Sequence, residues 1–227
     1  MMNLKSVLTL TAAALTLAFS VSCADRPVRN RLGLAVYHAY DRQTKLPTNP
    51  NNVKVKVSLS KQRTYVMEGS EVLLSMPVSV GTSSTPTPSG NFRIFNKVEK
   101  KRANSHGYAF KGDQVKKSMI SSKPVGWSFK GTPMPYWCEF KTNYGFHTGW
   151  VKHHPCTHGC IRMHENLAPK FFRLVKVGTP VNIAYSQPED ATVNMTLPPD
   201  AGPLPDYASS MYLGDGYFKQ HKTPKYD

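Results

Sequence analysis

Val53-Lys54-Val55-Lys56-Val57-Ser58-Leu59 alternates apolar and polar side chains residue by residue. Successive side chains leave a strand on opposite faces, so this spacing fits a half-buried strand. It does not fit a helix, whose apolar positions recur every three or four residues. The same reasoning predicts strands over 64–67 and 72–74, joined by a hairpin turn at Glu68-Gly69-Ser70, with 76–80 continuing to Gly81. Segments 91–98, 134–140 and 144–151 read as further strands, and 179–185 as a closing one. Between them, TSSTPTPSG (82–90) excludes helix and interrupts any ladder, through Pro86, Pro88 and Gly90. Residues 99–132 are basic with no clean period and read as a long insertion or flap, which in a compact domain is usually functional or mobile.

The period changes after residue 163. Leu167, Phe171 and Leu174 form one stripe, with Ala168, Phe172 and Val175 beside it, and this is helical spacing. Asn166 is placed to cap that helix, Pro169 falls in its first turn, and Gly178 stands where a C′ glycine belongs. The expectation is one mainly β domain over 53–185, with one main helix late in the chain.

A length of 227 residues suits one such domain and not two large ones. Residues 1–22 read as a secretory signal, with Lys5 ahead of an apolar run (7–21) that is short for a membrane span. Ser20-Val21-Ser22-Cys23 resembles a bacterial lipobox, which implies cleavage before Cys23 and a lipid on that cysteine; the alternative is an ordinary signal cut nearby. Residues 24–52, with Pro27, Pro47 and Pro50 and an Asn-rich run, read as a tether. Residues 186–227, rich in Pro, Asp and Gly, read as a loosely ordered tail. The formal charge of +15 becomes +14 once Lys5 is removed with the leader. An exported basic protein seldom meets nucleic acid, so anionic wall polymer or lipid headgroups are the expected polyanions.

The stretch HTGWVKHHPCTHGCIRM (147–163) concentrates the chemistry. His147, His153, His154, Cys156, His158, Cys160 and His164 are all potential metal ligands. Three residues separate the two cysteines, however, and no second ligand pair occurs elsewhere, so no metal is expected. Setting Cys23 aside, Cys138, Cys156 and Cys160 remain. Either Cys138 pairs with Cys156 and leaves Cys160 free, or all three are thiols. Gly159 directly before Cys160 permits a backbone turn that aims N–H groups at one point, as an oxyanion site requires. His147 is the natural base for the sulfur, provided the chain turns back through His153-His154-Pro155 to lay the two side by side.

His147 followed by Thr157-His158-Gly159-Cys160-Ile161-Arg162 resembles the signature of the L,D-transpeptidase (YkuD-like) catalytic domain. The resemblance spans about residues 53–185. It takes in Gln62, the Gly81 turn, Thr87-Pro88-Ser89-Gly90, Met134-Pro135-Tyr136 and Gly178-Thr179-Pro180-Val181. The short interval from His147 to Cys160 resembles the family's short-loop subgroup, and the asparagine often found soon after the cysteine is displaced to Asn166. The resemblance implies a mixed β-sandwich with one main α-helix after the catalytic cysteine. Cys160 would be the nucleophile and His147 the general base, with His158, Gly159 and Cys160 building the oxyanion pocket, partly from backbone N–H groups, and Thr157 counted among the oxyanion and substrate-binding residues. Arg162 would grip a substrate carboxylate, and Tyr136 with Trp137 would wall the groove. The implied reaction is cofactor-free acyl transfer on peptidoglycan tetrapeptide stems through a thioester, with acylation by carbapenem-type β-lactams. A carboxypeptidase or wall hydrolase with the same pair, or a non-catalytic wall-binding lipoprotein, are the alternatives.

Overall fold

The alternation at the start of the domain is realised as β1 (Val53–Ser58), with Val53, Val55 and Val57 buried and Lys54 and Lys56 turned outward. It is seen in a computed structural model that describes residues 33, 35–198 and 209–220; the leader and Cys23 lie outside the described residues. Nine further strands follow among those residues: β2 (Arg63–Glu68), β3 (Glu71–Ser79), β4 (Gly90–Arg93), β5 (Asn96–Lys111), β6 (Gln114–Met119), β7 (Ser128–Lys141), β8 (Tyr144–Thr148), β9 (Ile161–Met163) and β10 (Pro180–Ala184). Their spatial order is β4-β10-β1-β2-β3-β9-β8-β7-β5-β6. The β1–β10 and β8–β9 pairs are parallel and the other neighbours antiparallel, so the sheet is mixed, as expected.

β3 joins the two halves of this sheet. Its first part ladders with β2, while Val78 and Ser79 pair with β9. The halves then close on each other: Phe92 of β4 and Phe140 of β7, distant in strand order, have ring centroids 5.3 Å apart. The helix α1 (Ala168–Leu174) seals this core, with Phe171 packed 4.7 Å from Phe146 of β8. Val57, Val66, Met76, Phe146, Ile161, Met163 and Phe171 are all 0 % exposed. Burying a side chain of this size contributes about 1.5–3 kcal/mol.

Several local expectations give way to tertiary packing. Asn166 does not cap α1; its amide instead donates to the carbonyls of His38 and Tyr40, and the cap position, Leu167, has no side-chain bond. Gly178, at φ +94°, serves the turn into β10 rather than the helix end, which falls at Leu174. The flap has regular structure: β5 and β6 form a hairpin, and β5 also pairs along β7. The tail is not loose throughout. Asp190 accepts bonds from Ser58 and Tyr65, and Met195 covers Met67 on the outer face of β2. Further on, α2 (Glu189–Thr192) is followed by α3 (Ser209–Leu213) and α4 (Gly216–Gln220), which lie against the flap. There Tyr212 stacks on Tyr108 at 4.9 Å, and Arg102 donates to the carbonyls of Tyr212 and Gly214.

The second half of the expected tether is also part of the domain. Tyr37 is 1 % exposed; its hydroxyl accepts from the Val151 N–H and its carbonyl accepts from His164 Nε2 at 2.8 Å. Lys170 of α1 binds Asp41 and the Arg42 carbonyl. His164, fully buried, accepts from the Asn166 N–H on Nδ1, so both ring nitrogens are satisfied only in the neutral form. Burial holds its pKa down to about 4, although the Tyr37 bond partly opposes this. The unfolded chain takes up this proton near pH 6.5 and the folded chain only near 4. Stability is therefore present above 6.5 and lost as the pH falls through that window, by on the order of 3 kcal/mol from this residue. Urea midpoints between pH 7 and 4 should fall accordingly, and His164→Leu should remove this residue's share of the slope, leaving that of His147, which burial also holds down to about 4.

Candidate active site

Strand register alone divides β7, β8 and β9 into two chemically different faces. Cys138 pairs with Phe146 and Phe146 with Ile161, while His147 pairs with Arg162 and Glu139 with Gly145. Paired residues share a face and neighbours alternate. Cys138, Phe146 and Ile161 point into the core. The opposite face carries Trp137, His147 and Arg162 in one row and Glu139, Gly145 and Cys160 in the next. Cys160 continues the alternation one residue before β9. His147 and Cys160 thus stand on one face of adjacent parallel strands and line the same cavity, of about 1080 Å³. The flap completes it: Lys101, residues 103–108 and residues 117–119 form the facing wall.

The turn that presents Cys160 is held by the TSSTPTPSG loop. The Val80 carbonyl accepts the N–H groups of Cys156 and Thr157, and the Thr157 carbonyl accepts Thr82 N–H and Thr85 Oγ1. Thr87, 5 % exposed, accepts from Gly81 N–H and donates to the Gly159 carbonyl at 2.9 Å. Thr157 Oγ1 donates to the Cys160 carbonyl at 2.6 Å and accepts the Gly159 N–H. The Gly159 N–H is therefore committed within the turn and does not face the cavity, contrary to the expected oxyanion arrangement. Nothing local in the sequence marks this proline-rich loop as a brace, because contacts between residues 72 apart have no short-range signal.

Gly159 is required on two counts. Its φ is +103°, and a Cβ there would come 2.5 Å from the Tyr144 ring. Gly159→Ala should lower stability by roughly 1–3 kcal/mol and displace the sulfur. Thermal melts and the alkylation rate of Cys160 would show both effects, and an unchanged melt with unchanged alkylation would contradict them.

The resting electrostatics favour a neutral pair rather than a thiolate facing an imidazolium. Burial, reinforced by the Arg162 charge, holds His147 down to about 4 against the opposing pull of its bond to Thr148. His147 Nδ1 lies 2.8 Å from the Thr148 carbonyl, which can only accept, so Nδ1 carries the proton and Nε2 is the free base. Burial likewise raises the Cys160 pKa, and Glu139 adds to the rise; the Gly145 N–H and Arg162 pull the other way and lose. The thiol donates to the Asn143 carbonyl, Sγ to O 3.7 Å. Asn143 holds φ +65° in the two-residue turn between β7 and β8, a conformation asparagine tolerates.

Other sequence expectations fare differently. Arg162 lines the cavity opposite His147, with Nη1 3.8 Å from Cys156 Sγ, and no ion pair holds it among the described residues. His158 is exposed at the cavity mouth, stacked on His106 of the flap at 5.0 Å. Trp137 lines the cavity, but Tyr136, one residue out of phase, is 6 % exposed in the core and packs on Phe172. Tyr136 is therefore not a groove wall. Cys138, Cys156 and Cys160 are all free. No bridge joins Cys138 to Cys156: the first faces the core with a thiol pushed up to about 12 by burial, and the second lies against Arg162 on the other side of the sheet. The clustered histidines disperse, with His153 bound to the Pro198 carbonyl and His164 in the core. Among the described residues no three metal-ligating side chains converge.

A family model of the L,D-transpeptidase catalytic domain (YkuD) matches residues 52–183. No curated protein matches the chain. Among solved structures, an L,D-transpeptidase from Mycobacterium smegmatis is 19% identical, over 59% of this chain and 58% of its own, with a TM-score of 0.46. One from Stackebrandtia nassauensis is 20% identical, over 70% and 68%, with a TM-score of 0.45. The catalytic domain of an E. faecium L,D-transpeptidase is 22% identical, over 58% and 96%, with a TM-score of 0.42. The match thus spans less than two thirds of the M. smegmatis chain.

Proposed function

The chain belongs to the YkuD L,D-transpeptidase catalytic-domain family, and from that premise we propose that it cross-links peptidoglycan tetrapeptide stems through a thioester on Cys160. The observation that carries this reading is the placement of His147 and Cys160 on one face of adjacent parallel strands, in one cavity. Nε2 of His147, left basic by the bond at Nδ1, takes the Cys160 proton as the sulfur attacks the carbonyl of the third stem residue. The tetrahedral oxyanion is stabilised by the Cys160 N–H, since the Gly159 N–H is already bonded. Collapse breaks the amide bond. The departing terminal D-amino acid takes the proton from His147, and the carbonyl remains on sulfur as a thioester. An amine of a second stem then attacks, gives its proton to His147, and displaces the sulfur, which regains that proton. Arg162, without an acidic partner among the described residues, offers a two-point site for a stem carboxylate.

The compartment follows from the same reading. We place the protein in the cell envelope, exported and held by a lipid on Cys23, with stem peptides as its partners.

The test is incubation with a disaccharide-tetrapeptide and mass analysis of the products. Cross-linked dimers that have lost one terminal residue are expected. Trimmed monomers alone would make water the acceptor and the protein a carboxypeptidase, and unchanged substrate would remove the reading altogether.

A further inference from the structure

Glu139 stands out in the cavity. Its basic companions in the lining are Lys101, Lys117, Arg162 and three histidines, and it is the one carboxylate among the described lining residues. Its carboxylate is fixed in place. Oε1 accepts the Asn143 N–H at 3.0 Å, while Oε2 accepts Asn96 Nδ2 at 3.1 Å and Trp137 Nε1 at 3.3 Å. Burial pushes this carboxyl up, but these donors and Lys101 outweigh it, so the group is held ionised. A carboxylate offers about four acceptor positions, and these donors fill three.

The placement of this charge is costly for the chemistry already described. An anion near a sulfur that must itself become anionic raises the thiol pKa. The register gives the geometry: Glu139 pairs with Gly145 of β8, and Cys160, one residue before β9, falls beside Gly145, one step before the Phe146–Ile161 pair. Strands lie about 4.8 Å apart, so the backbones of Glu139 and Cys160 are roughly 10 Å apart with a glycine between them. Even an alanine at Gly145 would come within 2.8 Å of the Trp137 ring. The Trp137 indole therefore lies over Gly145 and reaches Glu139 with its Nε1–H, so the floor between anion and nucleophile is a flat ring face along which a substrate chain can lie from the sulfur to the carboxylate.

We propose that Glu139 receives a primary ammonium of the substrate, one amine-bearing side chain away from the carbonyl that Cys160 attacks. This rests on the acyl-transfer reading above. A stem peptide offers that ammonium from two sources, the distal amine of a diamino acid at the donor's third position, or the acceptor's amine on arrival, which docks as the ammonium and gives its extra proton to solvent before it moves to the thioester as the neutral nucleophile. Arg162, in the next row, takes an accompanying carboxylate, so the floor of the site is matched to a zwitterionic amino-acid terminus rather than to a simple alkyl chain.

The test compares the full chain and Glu139→Gln on two synthetic tetrapeptide stems, one with 2,6-diaminopimelate as third residue and one with 2-aminopimelate, which lacks the distal amine. Thioester formation is followed by intact-protein mass, and the partition of the thioester between amine and water by product mass. A charge-assisted bond of this kind corresponds to about a tenfold preference or more. If the donor amine is the ligand, the wild type prefers the diamino stem by that factor, and Glu139→Gln erases the preference, on top of whatever equal change the lost charge makes to both stems through the Cys160 thiol. If the acceptor amine is the ligand, donor rates hold and the substitution shifts the partition toward water by a similar factor. An equal loss on both stems with unchanged partition means that Glu139 only fastens Trp137 and the 142–143 turn, and the proposal is wrong. The wild type alone also decides against it if it shows no preference for the diamino stem and an ammonium acceptor fares no better than neutral methoxyamine, so a poorly folded variant cannot shield the idea. A wild type that forms no thioester with either stem would instead overturn the acyl-transfer reading, and this inference with it.

Discussion

Cys160→Ala is expected to leave a folded protein in which acyl transfer has fallen by at least about a thousandfold, because in the proposed reaction the sulfur forms the covalent intermediate and nothing beside it can replace it. The nearest hydroxyl, Thr157 Oγ1, is committed to the Cys160 carbonyl and the Gly159 N–H, and its residue is 3 % exposed. Little stability should be lost, since the side chain faces the cavity rather than the core and its thiol makes only a long bond to the Asn143 carbonyl. A carbapenem is expected to leave a covalent adduct on the wild type, and the same substitution should remove it. Cys138→Ala and Cys156→Ala should both retain the adduct: Cys138 is buried with its pKa near 12, and Cys156 stands outside the cavity lining. Intact-protein and peptide mass spectrometry would decide, and an adduct mapped to Cys156 in the wild type would reassign the nucleophile.

His147→Gln should cost about a hundredfold to ten-thousandfold in the acylation step, the usual range for a positioned general base. The more telling measurement is the pH profile of the wild type. Protonated His147 cannot accept the Cys160 proton, so the rate falls where the imidazole charges. Burial and Arg162 place that point near pH 4 instead of the ordinary 6.5. Activity should thus persist through pH 5.5, where an unperturbed histidine would already be mostly protonated. Toward alkaline pH, iodoacetamide alkylation of Cys160 should keep rising beyond the ordinary thiol range, since burial holds its pKa up. An acid limb centred near 6.5, or an alkylation plateau at neutral pH, would mean that the resting site holds an ion pair and that the neutral description is wrong. The unfolding of the protein at low pH through His164 must be kept apart from this limb, and stability measured at the same pH values does so.

The fold and the site of this protein are not equally legible in its residues. The alternation in β1, the helical stripe from Leu167 to Leu174 and the Thr157–Cys160 turn are short-range patterns, and each is realised in the structure. Parity also carried over: with period 2, Cys160 and Arg162 necessarily share a face opposite Ile161 and Met163. Parity counted along one strand does not say which face is the core, however. Tyr136 and Trp137 are neighbours of similar character, and only the pairing of β7 with β8 sends the first inward and the second to the cavity. The same ambiguity let Cys138 and Cys156 read as a pair when the sheet separates them.

By itself the chain determined its β character, its one main helix and the identity of a sulfur and an imidazole suited to acyl transfer, because spacing and side-chain chemistry are local properties. Only the tertiary structure decided that Tyr37 completes the core, that Thr87 braces the turn before Cys160, that the Gly159 N–H is spent inside it, and that Glu139 stands in the row of Gly145 and Cys160, bonded to the Trp137 indole. Those facts join strands and loops far apart along the chain. Their energies come from burial and from satisfying polar groups that meet only after the sheet has closed, so no short window of residues can contain them.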